Sequence, residues 1–411
     1  MFTAFSAGLL LSAFLGPAAG RLIDLHGGRR VLPGSSLVFA AGLAMLGASR
    51  GVAFLFASWL VIGAGMSAGL YEAAFSTLTG IYGRGARRAI TGITLIAGFA
   101  STVCWPLSAY MDVTLGWRAT CYVWAAAHLC IGLPINFFLP AARIADRPEA
   151  SAPRAAGQGR LLVMAGLSFV FAATWFCSTA MAAHLPRVLQ EAGASLPAAI
   201  AAAALVGPAQ VAARIVEFSL MRRLHPIISA RVATLAHPVG AASLLAFGSP
   251  AATFFTVVHG AGNGVMTIAM GTLPLALFGA GGYGLRQGLL MAPARLLQSS
   301  APFVFDLLLL RYGTASLAVT ASLGIASFAV LSLMGRNRRG AGPAARHSVL
   351  PPRRPDARRP SGEPAGRPLR HLQRELREHE RAGRFSHREL LRRRHVRSGR
   401  VPTRNHERKG R

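Results

Sequence analysis

A few side chains able to do chemistry stand inside runs that are otherwise apolar. Glu72 lies in GLYEAAFSTL, within an apolar stretch from 54 to 80. An ionisable group at such a depth is costly and is a functional candidate by default. As a carboxylate it can take up and release a proton or bind a solute. Tyr71, beside it, points about 100° away on a helix and need not share its surroundings. Arg295 is the natural counterpart, in PARLLQSSAP, with Gln298 three residues on and therefore on the same helix face. A guanidinium there can hold an anionic group through a two-pronged contact or neutralise Glu72, and both readings stay open. His259, Asn263 and Thr267 recur every four residues and form one polar stripe. Such a stripe serves either interhelical hydrogen bonding or proton transfer. Gln210, Trp105 and Trp175, also inside apolar runs, are weaker candidates, the tryptophans reading more simply as packing residues.

Other chemistries find no residues. No G-x-x-x-x-G-K-[ST] loop is present, and Lys409 is the only lysine, which argues against ATP-driven work by this chain alone. No H-E-x-x-H or paired-cysteine motif suggests a metal, and no cofactor is expected. Cys104, Cys121, Cys130 and Cys177 each sit in an apolar run and read as small packing residues. No catalytic set is visible, so an enzyme is not expected.

The elements that hold these groups must be membrane helices. The 411 residues are 52% hydrophobic and 14% charged, against about 25% charged in ordinary soluble domains. Continuous Ala-, Leu- and Gly-rich runs without period-2 alternation exclude spanning strands. Eleven spans are predicted, at 4–22, 33–49, 54–80, 89–111, 117–139, 160–184, 196–220, 228–247, 252–277, 287–310 and 314–335. Between the fifth and sixth, residues 140–159 are rich in Pro, Ala, Gly and charge and read as a linker. Arginines crowd alternate loops: Arg29 and Arg30; Arg84, Arg87 and Arg88; Arg143, Arg147 and Arg154; Arg222 and Arg223; Arg286. The opposite loops hold Arg50, Arg118, Arg187 and Arg311. Positive-inside bias makes the first set cytoplasmic, together with the tail, in the inner membrane.

The chain also repeats itself. GRLIDLHGGRRVLP (20–33) aligns with ARIVEFSLMRRLHP (213–226), pairing Arg21 with Arg214, Asp24 with Glu217, and Arg29 and Arg30 with Arg222 and Arg223. Gly63-Ala64-Gly65 matches Gly260-Ala261-Gly262, and Gly92 and Pro106 match Gly288 and Pro302, at nearly the same shift. The matched prolines are expected to kink their helices. Both arginine loops fall on one side, so the repeat is parallel, about an axis along the membrane normal. The halves are 1–139 and 160–335. The second has six spans and the first five, so a helix is expected to be missing ahead of the first.

The loop Gly20, Leu22, Asp24, Gly27, Arg29, with Arg30 adjacent, resembles the signature between the second and third helices of the major facilitator superfamily. It departs at Leu25 and Gly28, where basic residues are common in that family. The resemblance covers residues 1–335. It implies two six-helix bundles around a central cavity, opened alternately to each side, with the motif acting as a gate latch. Asp24 can pair with a basic group or a helix N-terminus. Glu217, with Arg214, Arg222 and Arg223, would be the corresponding set in the second half.

The expected function is secondary transport of a small solute, with a proton as a candidate coupling ion. The alternatives are a truncated homologue that no longer transports and a membrane sensor. Residues 336–411 carry 24 basic and 7 acidic residues. That tail is expected to be disordered apart from a charged helix around 370–395, and either attracted to anionic lipid or an unselected translation of GC-rich DNA. With Phe385 its only aromatic, no nucleic-acid partner is expected.

Overall fold

In a computed structural model, described for residues 2–142, 158–220 and 224–340, every regular element is helical among the described residues. Apolar sequence with no water to satisfy its backbone leaves the helix as the available solution. The first half runs α1 (Phe2–His26), α2 (Gly28–Ala48), α3 (Val52–Gly69), α4 (Tyr71–Tyr82), α5 (Ala86–Gly98), α6 (Ala100–Leu115), α7 (Trp117–Ala127) and α8 (Leu133–Phe137). The second runs α9 (Gln158–Glu191), α10 (Leu196–Ala204), α11 (Val206–Ser219), α12 (Pro226–Phe247), α13 (Ala252–Phe278), α14 (Tyr283–Tyr312) and α15 (Leu317–Gly340). Nine described stretches are long and apolar enough to cross a membrane. Two of them, Val52–Gly98 at 47 residues and Tyr283–Met334 at 52, are long enough for two crossings each. Most of the linker, the pair Arg222–Arg223 and the tail beyond 340 lie outside the described residues.

Several spans that read as continuous are broken. The stretch 54–80 divides at Leu70, whose backbone is extended between α3 and α4. Phe99 separates α5 from α6, and Leu205 separates α10 from α11. Glu72 therefore does not sit mid-helix. It occupies the first turn of α4, where the helix dipole favours a negative charge. Pro106 and Pro302 both lie inside helices, α6 and α14.

The repeat is visible in packing. Gly63 of α3 meets the backbone of Gly8 in α1, and a Cβ there would overlap it. Gly260 of α13, its repeat mate, meets Val206 of α11, with a Cβ only 2.8 Å from that carbonyl oxygen. Within the second half, Leu167, Phe171, Met266, Leu273 and Leu290 form one buried apolar core and Met181, Leu189, Leu244, Phe255 and Phe305 another. A third cluster joins the halves: Phe75, Ala86 and Ile90 from the first, Leu275 and Tyr283 from the second. Large apolar side chains such as Phe14, Ile96 and Val113 point outward, as a lipid-facing surface requires.

Candidate functional site

The two halves meet most closely along α1 and α14. Gly16 and Gly20 of α1 face Gly288 and Gly284 of α14, each pair four residues apart. A Cβ at Gly20 would overlap the Gly284 carbonyl, and one at Gly288 would come within 2.7 Å of the Gly16 carbonyl oxygen. Backbones this close tolerate no side chain between them, which is the physical demand behind Gly20, Gly284 and Gly288, whereas a Cβ at Gly16 would meet no atom within 4 Å. At the same end, the Asp24 carboxylate accepts two backbone hydrogen bonds from the first turn of α14, from Gly284 N and Leu285 N, both 2.8 Å. Arg286 stands in electrostatic reach of Asp24 and donates to the carbonyls of Gly279 (3.0 Å) and Gly281. Towards the other end, Ser6 Oγ donates to the Ser299 carbonyl at 2.9 Å, so the seam is held along its length.

The remaining motif residues shape the turn after Asp24. Gly27 adopts a positive φ of 80° ahead of α2, a conformation open to glycine. Gly28, where the family often carries a basic residue, is buried against Thr77 of α4, and a Cβ would overlap that side chain. Arg29 and Arg30 are exposed.

A narrow cleft of about 20 Å³ opens between α1, α3, α4 and α14, lined in part by Ser12, Gly20, Ser76 and Gly288. Glu72 and Arg295 meet in it. Arg295 Nη2 donates to both carboxylate oxygens, at 3.0 and 2.9 Å, so the pair bridges the two halves. Of the two readings left open for Arg295, neutralisation of Glu72 is the one the geometry realises. Gln298 lies one turn further along α14, part-buried, with its Oε1 enclosed and without a hydrogen-bond partner among the described residues. Tyr71 stacks on Phe75, ring centroids 5.4 Å apart.

The second-half counterpart of the motif is arranged differently. Glu217 is buried and accepts from Ser229 Oγ of α12 at both oxygens, 3.0 and 2.9 Å. Arg87, at the start of α5, is within electrostatic reach. Arg214 does not pair with Glu217; its Nη1 crosses to the first half and donates to the Thr94 carbonyl at 3.3 Å. Arg222 and Arg223 are outside the described residues. Gln210 is half-buried, and its backbone packs against Gly264 of α13.

His259 has a partner that the spacing argument did not supply. Its Nδ1 is 3.0 Å from Nδ1 of His237 on α12, and His237 Nε2 is 2.8 Å from Thr320 Oγ1 on α15. Thr320 donates onward to the Leu317 carbonyl at 3.0 Å. Followed from that carbonyl, the chain needs the proton of His237 on Nε2 and a donating Nδ1 on His259. Asn263 lines a second cleft, inside the second half, together with His237 and His259, whereas Thr267 satisfies its hydroxyl on the Asn263 carbonyl of its own helix. A second omission is Asp306 on α14, paired with Arg187 at 2.8 Å and near His184 at 3.9 Å on α9. A search for acids inside apolar runs would have found Asp306; nothing in the local sequence links His237 to His259.

An all-helical bundle with two repeated halves, a glycine seam and an acid capping the opposite half's helix defines a membrane transporter fold. The chain belongs to the Major Facilitator Superfamily, whose family profile matches residues 1–291. Solved structures of that fold align with 80% of the chain. The human organic anion transporter MFSD10 (TETRAN) is 18% identical, with 83% of its chain covered and a TM-score of 0.63. The proton:xylose symporter XylE bound to 6-bromo-6-deoxy-D-glucose is 12% identical, 84% covered, TM-score 0.65. A single-substitution variant of the E. coli fucose:proton symporter FucP is 15% identical, 91% covered, TM-score 0.62. No curated protein matches the chain in sequence.

Proposed function

We propose that this chain is a secondary active transporter of a small solute, working by alternating access and coupled to protons through Glu72. The observation that carries the reading is the Glu72–Arg295 ion pair, which spans the two halves inside the cleft. A carboxylate there has two competing partners, a guanidinium and a proton. Protonation removes the ionic part of the contact and loosens the tie between α4 and α14; deprotonation restores it. That is a coupling element with two states, as a gradient-driven cycle needs.

The latch at Asp24 supplies the second requirement. Its bonds to Gly284 and Leu285 form only when the halves are together at that end, so they stabilise one conformation and are absent from the other. The arginine distribution supports placing that end in the cytoplasm, in a bacterial-type inner membrane. Two of the similar structures are sugar:proton symporters, which supports a proton as the coupling ion.

The test uses the full chain in proteoliposomes loaded with a pH-sensitive dye. Xylose, fucose, benzoate and inorganic phosphate are added in turn under no imposed gradient. At least one is expected to move protons with it. In Glu72→Gln, exchange of that solute is expected to persist while the proton movement disappears. Proton movement of wild-type size in Glu72→Gln would remove Glu72 from the coupling.

A further inference from the structure

Charge accounting along the seam leaves one cation over. Glu72 and Arg295 neutralise each other. Asp24 caps α14 with Arg286 nearby. Glu217 is held by Ser229 and faces Arg87. Arg214 has no such balance. It is 4% exposed, and none of the ion pairs among the described residues includes it. Among the described residues its one hydrogen bond goes to a neutral acceptor, the Thr94 carbonyl, and its Nε is buried without a partner. The Tyr71 phenol is within electrostatic reach but is not an anion at neutral pH.

The neighbouring helices offer no spare carboxylate. Neither α5 nor α13, the elements packed most closely on α11, contains an acid. On α6, Asp112 is exposed and fourteen residues beyond Gly98, about 20 Å along the helix direction. Glu217 is one turn away on α11 itself, yet both of its oxygens are turned to α12. The site is shaped for the guanidinium nonetheless. Gly98 has no side chain where Nη1 lies, and a Cβ there would overlap it.

We infer that Arg214 is the substrate-charge site: the transported solute carries an anionic group, which Arg214 engages when α5 and α11 separate. This rests on the transporter reading above. A buried, unneutralised arginine is costly, and the cost falls when an anion supplies two acceptors to the planar fork. Its location makes that anion part of the cycle. The Thr94 carbonyl belongs to the first half and Arg214 to the second, so opening the seam removes the one acceptor the guanidinium has among the described residues. An entering carboxylate or phosphate replaces it with charged oxygens at the same place.

The experiment measures thermal-unfolding midpoints of the full chain in nanodiscs against concentration of benzoate, inorganic phosphate, xylose and choline. An anion is expected to stabilise the wild type, benzoate and phosphate separating a carboxylate from a phosphate preference. Arg214→Gln is expected to weaken that anion by about tenfold to hundredfold, the usual range for a lost charged contact. Arg214→Lys, which keeps the charge without the fork, should fall between and serves if the Gln variant does not fold. The basic tail is identical in all three proteins, so non-specific anion binding cancels in the comparison. An Arg214 that only gates would slow exchange of neutral and anionic solutes alike and leave anion affinity unchanged; that result overturns the assignment. Stabilisation by xylose or choline alone also overturns it but leaves the transporter reading intact. The Glu72 proton-flux experiment decides that reading separately.

Discussion

The two copies of the arginine-bearing loop match in sequence and hold the molecule in different ways. In the first half Asp24 reaches across the seam and caps α14 through two backbone amides. In the second half the matched acid, Glu217, stays within its own half on Ser229, and it is Arg214 that crosses, to Thr94. The setting is otherwise symmetric: Arg286 lies by Asp24 at the start of α14, and Arg87 by Glu217 at the start of α5. The difference lies in backbone approach. Gly20 and Gly284 let α1 touch α14, so a short aspartate arrives at free helix-end amides. In the second copy the matched position to Gly20 is Ala213, and the longer glutamate bonds a hydroxyl on α12 instead. One copy ties the two halves together; the other pins α11 to α12 and leaves its arginine to face the seam.

The asymmetry is largest at the ion pair, since neither member has a repeat mate: Ala269 stands opposite Glu72, and Phe99 opposite Arg295. Arg295→Ala is therefore expected to have the greatest effect. Removing one partner of a buried pair costs about 3–5 kcal/mol. Glu72 keeps 16% side-chain exposure, which puts this pair at the lower end. The midpoint of thermal unfolding should fall sharply, and the double variant Glu72→Gln/Arg295→Gln should recover most of the loss. Recovery in the double variant is the decisive arm; without it the pair is not the unit the geometry describes.

Gly20→Val comes next. Its side chain has no space against the Gly284 carbonyl, and overpacking costs about 1–3 kcal/mol, at the upper end when backbone rather than a side chain must yield. Solute exchange in vesicles should drop by more than about tenfold, because the closed state at the Asp24 end is lost. Ala213→Val, at the matched position, should exchange at close to the wild-type rate. Equal losses in both would erase the distinction between the copies.

Much of this was legible in the chain. Continuous apolar runs marked the helical membrane class, and the matched arginine loops and glycines revealed the repeat. Glu72 and Arg295 were legible too: charges inside apolar runs must find each other or lose heavily in solvation. What stayed hidden depends on three-dimensional placement. Nothing in Leu70 itself marks the break there, since leucine is a good helix former. The His237–His259 contact joins residues on two helices with no shared period. That Arg214 pairs with a carbonyl rather than with Glu217 follows from which neighbour Glu217 faces, which a repeat alignment does not encode.

Asp24→Asn tests the latch directly. The asparagine keeps one acceptor oxygen and presents an amide group to a backbone N–H, so roughly one charged contact worth about 2 kcal/mol is lost. That is about thirtyfold in the balance between closed and open states at this end. Hydrogen exchange reads it at the donors themselves: the Gly284 and Leu285 amides should exchange about that much faster, while the first turn of α5 is unchanged. Unaltered exchange at Leu285 would show that the helix end is protected without Asp24.

Glu217→Gln should give the smallest effect, and its pattern matters more than its size. The glutamine still accepts from Ser229 Oγ, so the contact between α11 and α12 weakens without disappearing, by about 1 kcal/mol or less. Because that contact lies inside one half, it is present in both conformations of the cycle and cancels in their balance. Exchange at Leu285 should therefore match the wild type, and solute exchange should change by less than about threefold, even as thermal stability falls slightly. The same reasoning makes Ser229→Ala a near copy of Glu217→Gln. If instead Glu217→Gln shifted the conformational balance as strongly as Asp24→Asn, the charge facing Arg87 at the start of α5 would be acting across the seam. The second copy would then be a latch in its own right, working through an ion–ion contact where the first uses helix-end amides.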